Sequence, residues 1–206
     1  VVDGVHLVGD VMFDVAVDAI ARAETTSTIL DRLGLAKQSY LLATVHRAGN
    51  TDDETNLRAI VTAFCDIDEP LVLPLHPRTD KCLRRVGLHD TLAEAEHVIL
   101  TEPLGYLDFI ALQTNARKIL TDSGGVQKEA CFHRVPCITL REETEWVETV
   151  ASGWNVLVGA DAARIVGAVR EAFVEPSGRC AGAELWDGQA SQRIVATLDL
   201  ASASGW

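Results

Sequence analysis

Apolar residues recur along this chain in two alternating rhythms. Short continuous runs at residues 40–45, 71–75, 97–100, 119–120, 136–140 and 155–158 read as strands buried on both faces. Between them the spacing turns helical. Val15, Ala19, Ile20, Ala23, Ile29, Leu30 and Leu33 predict one helix over 11–33, stopped by Gly34. Thr51-Asp52-Asp53-Glu54 charges the start of another, whose stripe is Leu57, Ile60, Val61 and Phe64. Further helices are predicted after residue 79, over 106–115, from Val126, over 161–174 and over 189–200, with a short lead-in strand over 5–10. Residues 141–149 read as a polar loop carrying Trp146, and Pro176-Ser177-Gly178 as a turn.

Strand and helix alternate throughout, which implies an α/β fold: a Rossmann-like three-layer domain with a parallel sheet covered on both faces. Such sheets bind ligands outside the carboxyl ends of their strands. The residues delivered there are His46-Arg47, His76-Pro77-Arg78, Glu102-Pro103-Leu104-Gly105, Asp122-Ser123-Gly124-Gly125 and Arg141-Glu142-Glu143. The fourth group follows an apolar strand and opens a helix. Its glycines admit a ligand close to the backbone, Ser123 adds a hydroxyl, and the free amides of a helix start favour an anion. Glu129, about one turn further, is placed to accept from a ribose diol. Taken alone, S-G-G is equally a plain strand-to-helix turn; the basic and glycine-rich exits beside it favour phosphate.

Composition narrows the classes. With 48% hydrophobic residues in 206, the chain has enough apolar surface for one large domain. A net charge of −12 disfavours nucleic acid and anionic membrane as partners, so an anionic ligand needs a local exception. No apolar run is long enough to insert into a membrane and the first residues carry no leader pattern, so a cytoplasmic location is expected. Five scattered cysteines without a C-x-x-C are expected to be reduced, with no metal site. The missing initiator Met suggests part of a longer chain.

Five ordered stretches carry a resemblance: T-V-H-R-A-G-N (44–50), L-H-P-R-T (75–79), E-P-L-G-Y-L-D-F (102–109), T-D-S-G-G-V-Q-K-E-A (121–130) and T-L-R-E-E-T-E-W-V-E (139–148). Together they resemble the non-hydrolysing UDP-N-acetylglucosamine 2-epimerases, from about residue 8 to residue 193. The resemblance implies the C-terminal half of a glycosyltransferase-B-like fold: 1–34 as lead-in strand and interdomain helix, 35–206 as the UDP-binding domain with a C-terminal crossover helix. The family's N-terminal domain, which supplies its other catalytic carboxylates, is then absent.

The resemblance also assigns residues. Ser123, Gly124 and Gly125 match those holding the diphosphate, Glu129 the ribose glutamate, and Phe109 with the backbone near Leu104 the uracil pocket. His46 matches the histidine at the diphosphate and reaction centre. Phe109, at helical spacing with Tyr106 and Leu112, is also a natural core position. His76, Arg78 and Arg47 are candidate phosphate contacts, or His76-Pro77-Arg78 a site for a second, activating nucleotide-sugar; orienting a helix is the plain alternative. The implied chemistry is inversion at C2 by elimination and re-addition of UDP, an isomerase reaction on a UDP-sugar without a cofactor, in a possible homodimer. Two positions depart from the pattern. Gly49 replaces a glutamate, and Trp146 stands where an arginine is frequent. A retaining glycosyltransferase of the same architecture and a non-catalytic nucleotide-sugar-binding domain remain as alternative readings.

Overall fold

Single-residue alternation along the strands decides the layers. Leu41 and Ala43 point to one side of the sheet and Leu42 to the other; Leu71 and Leu73 oppose Val72, Leu120 opposes Ile119, and Ile138 opposes Cys137. All ten are buried, so helices must cover both faces. The computed structural model describes residues 4–176 and 185–203. Its strands are β1 (Leu41–Thr44), β2 (Leu71–Pro74), β3 (Val98–Thr101), β4 (Lys118–Thr121), β5 (Cys137–Thr139) and β6 (Asn155–Leu157). All pair in parallel, in the order β3-β2-β1-β4-β5-β6.

The helices in chain order are α1 (Val11–Thr26), α2 (Ile29–Leu33), α3 (Ala48–Thr51), α4 (Glu54–Cys65), α5 (Pro77–Arg85), α6 (His89–Glu94), α7 (Tyr106–Asn115), α8 (Gly124–His133), α9 (Val147–Ala151), α10 (Ala162–Arg170) and α11 (Ala190–Ala203). One core lies between the sheet and α4, α5, α6 and α10; the other joins the sheet to α1, α2, α7 and α8. The chain reverses its direction of build between β1 and β4, which places a crevice at the carboxyl ends of those two strands.

All six predicted interior strands form, and Gly34 ends α2 at φ 65°. Other expectations need correction. Residues 5–10 form no strand: Val5 and Leu7 are 68% and 87% exposed, and apolar alternation without a neighbouring ladder does not hold a strand. The helix predicted over 11–33 breaks at Ser27, whose extended backbone lets its hydroxyl donate to Asp108 at 2.6 Å while Thr25 and Thr26 bond back to the carbonyl of Arg22. The loop expected over 141–149 contains the start of α9, and α10 stops at Arg170 rather than 174. Cys131 is disulfide-bonded, against the expectation of reduced thiols, because spacing along a chain does not report nearness in space; Cys65, Cys82 and Cys137 are free. The predicted turn at Pro176-Ser177-Gly178 lies partly outside the described residues.

The ends of the described chain meet. Asp14 on α1 accepts from the amides of Ala190 and Ser191 and from the Ser191 hydroxyl, at 3.2, 2.8 and 2.7 Å, so it satisfies the free donors at the start of α11. Arg193 on α11 donates to the Val8 carbonyl at 3.3 Å. No helix among the described residues is long and apolar enough to cross a membrane.

His133, in the last turn of α8, buries both ring nitrogens without a partner among the described residues. A helix carboxyl end favours a charged imidazole by up to about 1 kcal/mol, but desolvation outweighs it and drives the pKa from 6.5 to about 4. On acidification the unfolded chain takes up this proton first. His133 therefore contributes stability above about pH 6.5 and loses it as the pH falls toward 4, by up to about 3 kcal/mol. Urea unfolding of wild type and His133→Leu from pH 7 to 4.5 should show a shallower acid loss in the variant; identical slopes would refute the assignment.

Candidate functional site

The crevice between β1 and β4 is organised by Asp122, the residue following β4, which is fully buried. Its carboxylate accepts from the amides of His46 (3.1 Å) and Arg47 (2.9 Å) and from the side chain of Asn50 (3.1 Å). Asn50 also donates to the Leu140 carbonyl at 3.0 Å, tying in the exit of β5. Thr44 and Thr121 share a hydrogen bond of 2.6 Å at the last pair of β1 and β4, and Thr121 accepts from the Ser123 amide at 3.0 Å. The loop after β1 is thus fixed to the turn after β4.

Ser123 caps α8, accepting from the Val126 amide at 3.5 Å. The free amides of Gly124 and Gly125 face the crevice end of the helix, a natural anion site. What surrounds Gly124 is legible from what a side chain there would strike. A Cβ would lie 3.3 Å from Trp146 Nε1, 3.4 Å from Glu145 Oε2 and 3.7 Å from an Arg47 guanidinium nitrogen. Only glycine leaves this cradle open. Glu145 is the opposing charge, and Arg141 holds it by two hydrogen bonds of 3.0 Å that pull its pKa to about 2. Two guanidiniums, Arg47 and Arg141, face the carboxylates of Glu145 and the buried Asp122 at this rim.

Glu129 sits on the same helix, 9% exposed. Gln113 donates to one of its carboxylate oxygens at 2.8 Å and the Tyr106 hydroxyl to the other at 3.2 Å. Burial raises its pKa, and those two hydrogen bonds oppose the rise. Each oxygen retains a lone pair for a further donor such as a sugar hydroxyl. Burial and the carboxylate of Glu129 in turn push the Tyr106 hydroxyl to about 12, so it remains a donor.

Beside the cradle, His46, His76, Pro103, Phe109 and Val126 line a small apolar pocket of about 210 Å³. Phe109 also packs on the core with Leu104 and Leu107, the plain reading of its helical spacing, and it borders the pocket as well. The rings of His46 and His76 lie 5.4 Å apart. Burial lowers the His46 pKa and outweighs the pull of Asp122, whose carboxylate is 3.6 Å from Nδ1; His76 and Arg47 lower it further. His46 is therefore poised to be neutral near pH 7.

Two predicted contacts are occupied elsewhere. His76 accepts from the Arg78 amide at 3.1 Å and so caps α5, while Arg78 pairs with Asp52 and donates to Thr51 at 2.9 Å. The sequence alone assigns no role to Asp122, Asn50, Tyr106, Gln113 or Lys128. All but Gln113 lie inside quoted motifs, a usable signal, and Asp122 stands among the strand exits; Gln113 carried none. Among the described residues no group of histidine, cysteine and acidic side chains is arranged to hold a metal ion.

Comparison with known proteins gives a consistent family. The family described as UDP-N-acetylglucosamine 2-epimerase matches residues 2–199. A UDP-N-acetylglucosamine 2-epimerase homolog of Methanococcus maripaludis is 45% identical over 95% of this chain and 54% of its own. A UDP-2,3-diacetamido-2,3-dideoxy-D-glucuronate 2-epimerase of Pseudomonas aeruginosa is 46% identical over 93% and 51%. The crystal structure of Methanocaldococcus jannaschii UDP-GlcNAc 2-epimerase in complex with UDP-GlcNAc and UDP superposes with a TM-score of 0.81 at 36% identity, covering 95% of this chain and 54% of that one. The chain spans about half the length of the curated relatives it matches.

The Asp122 carboxylate has no substitute among neighbouring groups. Asp122→Ala leaves the amides of His46 and Arg47 without an acceptor and Asn50 with only the Leu140 carbonyl, and should destabilise the chain by on the order of 3 kcal/mol in denaturant unfolding. A loss below about 1 kcal/mol would show that the loop after β1 is held by other means.

Proposed function

The chain belongs to the UDP-N-acetylglucosamine 2-epimerase family, and from that premise we propose that it is the UDP-holding C-terminal portion of an isomerase that converts UDP-N-acetylglucosamine to UDP-N-acetylmannosamine. The observation that carries this reading is the convergence of four features at one crevice: the α8 amides, the Arg47 guanidinium over Gly124, the buried Glu129 carboxylate and the Phe109 pocket.

In this reading the diphosphate lies on Ser123, Gly124 and Gly125, the ribose on Glu129, and uracil toward Phe109 and the backbone near Leu104. The reaction breaks the bond between C1 of the sugar and the diphosphate oxygen, so negative charge grows on UDP as it departs. Fixed donors aimed at that charge lower the barrier, since they need no reorientation as the bond breaks. The amides of α8 and Arg47 supply them. His46, neutral near pH 7 and oriented by Asp122, faces the same region from the end of β1 and serves the reaction centre by exchanging a proton there. The acid and base at C2 are assigned to the half that this chain does not span. UDP is common to the names of both relatives above, while their sugars differ; the family description favours N-acetylglucosamine.

Two measurements test the proposal. Calorimetry should show UDP binding that weakens at least tenfold in Glu129→Ala and Gly124→Ala, the first by removing the ribose acceptor and the second by filling the cradle. The protein as encoded, incubated with UDP-N-acetylglucosamine in D2O, should form UDP-N-acetylmannosamine with deuterium at C2. Conversion of the diacetamido-glucuronate sugar alone would overturn the sugar, and absence of UDP binding would overturn the whole reading.

A further inference from the structure

Trp146 is held over the phosphate cradle from several directions. Its amide donates to the Thr144 hydroxyl at 3.0 Å, and its carbonyl accepts from the amide and hydroxyl of Thr149 at 3.0 and 2.7 Å. Both threonines are anchored in turn. Thr144 donates to Gln127 on α8 at 2.5 Å, and Thr149 accepts from Asn155 on β6 at 3.0 Å. Gln127, Thr149 and Asn155 are buried. The residue is therefore positioned by α8 and β6 together and not by its own short loop.

The ring is set by a charge. Lys128 Nζ lies 4.0 Å from the Trp146 ring centroid, with the lysine side chain only 11% exposed. Its ammonium is paired to Asp10, which caps α1 by accepting from the Met12 amide at 2.9 Å. A partly desolvated cation over an indole face favours one ring orientation. In that orientation Nε1 points at the helix start, 3.3 Å from where a Gly124 Cβ would sit, and it donates to no described residue. A fixed, unused N–H donor beside free helix amides and a guanidinium is what an anionic oxygen needs.

We propose that Trp146 is a direct ligand of the diphosphate through its indole N–H, with Lys128 as the positioning residue that holds the ring over Gly124. This rests on the UDP reading above and deepens it. In this arrangement the anion meets the Arg47 guanidinium and one neutral donor beside the helix amides. Lys128 carries its charge beneath the ring, already compensated by Asp10, and acts on the ligand only through Trp146.

Titration calorimetry with UDP on four variants of the protein as encoded tests this. Trp146→Phe keeps the ring over Lys128 and removes the donor; it should weaken UDP binding about 10- to 100-fold, the range of one lost hydrogen bond to a charged group. Lys128→Met should weaken it similarly, and Lys128→Arg, which keeps a cation over the ring, should stay within about twofold of wild type. In the double variant Lys128→Met/Trp146→Phe the two losses should not add, because no N–H remains to be positioned. A purely structural lysine would give additive losses, which overturns its positioning role. Wild-type binding with Trp146→Phe within twofold overturns this inference and leaves the UDP reading standing; absence of binding in the wild type overturns both.

Discussion

A single buried carboxylate sets the geometry of the crevice. Asp122 follows β4, and its three donors all come from the loop after β1, 72 to 76 residues earlier in the chain. These strands are neighbours only because the sheet is built outward in both directions from them. A neutral amide here would have a single acceptor oxygen and would bring donors of its own, so it could not serve three donors at once. The carboxylate converts sheet order into side-chain placement. His46 and Arg47 are where they are because their amides are fixed, and Asn50 extends the same restraint to the exit of β5.

The site gathers positive groups within an acidic chain. Overall the protein carries −12, and at the rim of the cradle the positive end of α8, Arg47 and Arg141 face the carboxylates of Glu145 and Asp122. Exposed charges farther away than a Debye length, about 8 Å at physiological salt, scarcely reach it. The acidic surface then disfavours polyanions without setting the local field at the cradle. Burial tunes the remaining groups in opposite senses: it lowers the pKa of His46 toward the neutral ring and raises that of Glu129, whose ionised form is defended by Gln113 and Tyr106.

The two periodicities were sufficient for the layers and the interior strands, because burial on both faces forces continuous apolar runs and helices force three- and four-residue spacing. What was not legible depends on pairs distant in sequence. Gln113 and Glu129 lie on different helices, and nothing local marks Gln113 as the carboxylate's partner. Lys128 and Asp10 are separated by most of the sheet. The break at Ser27 needs Asp108 to be in place before an extended residue is favoured there. Apolar content misled at residues 5–10 for the converse reason: those side chains have the strand rhythm but no strand beside them.

The same distant pairs bind the two ends of the described chain to the cradle. Asp10 joins the start of α1 to Lys128 in the second turn of α8, and Met12 comes within 3.9 Å of a Cβ position on Gly125. One turn further along α1, Asp14 holds the first amides of α11. A helix is stiff over these few residues, so α1 cannot shift along its axis without disturbing Lys128, the Trp146 ring above it, or the start of α11. Side-chain packing at interior density transmits such shifts instead of absorbing them. The first and last described helices are therefore packed into the same network that holds Lys128 and the Trp146 ring beside Gly124.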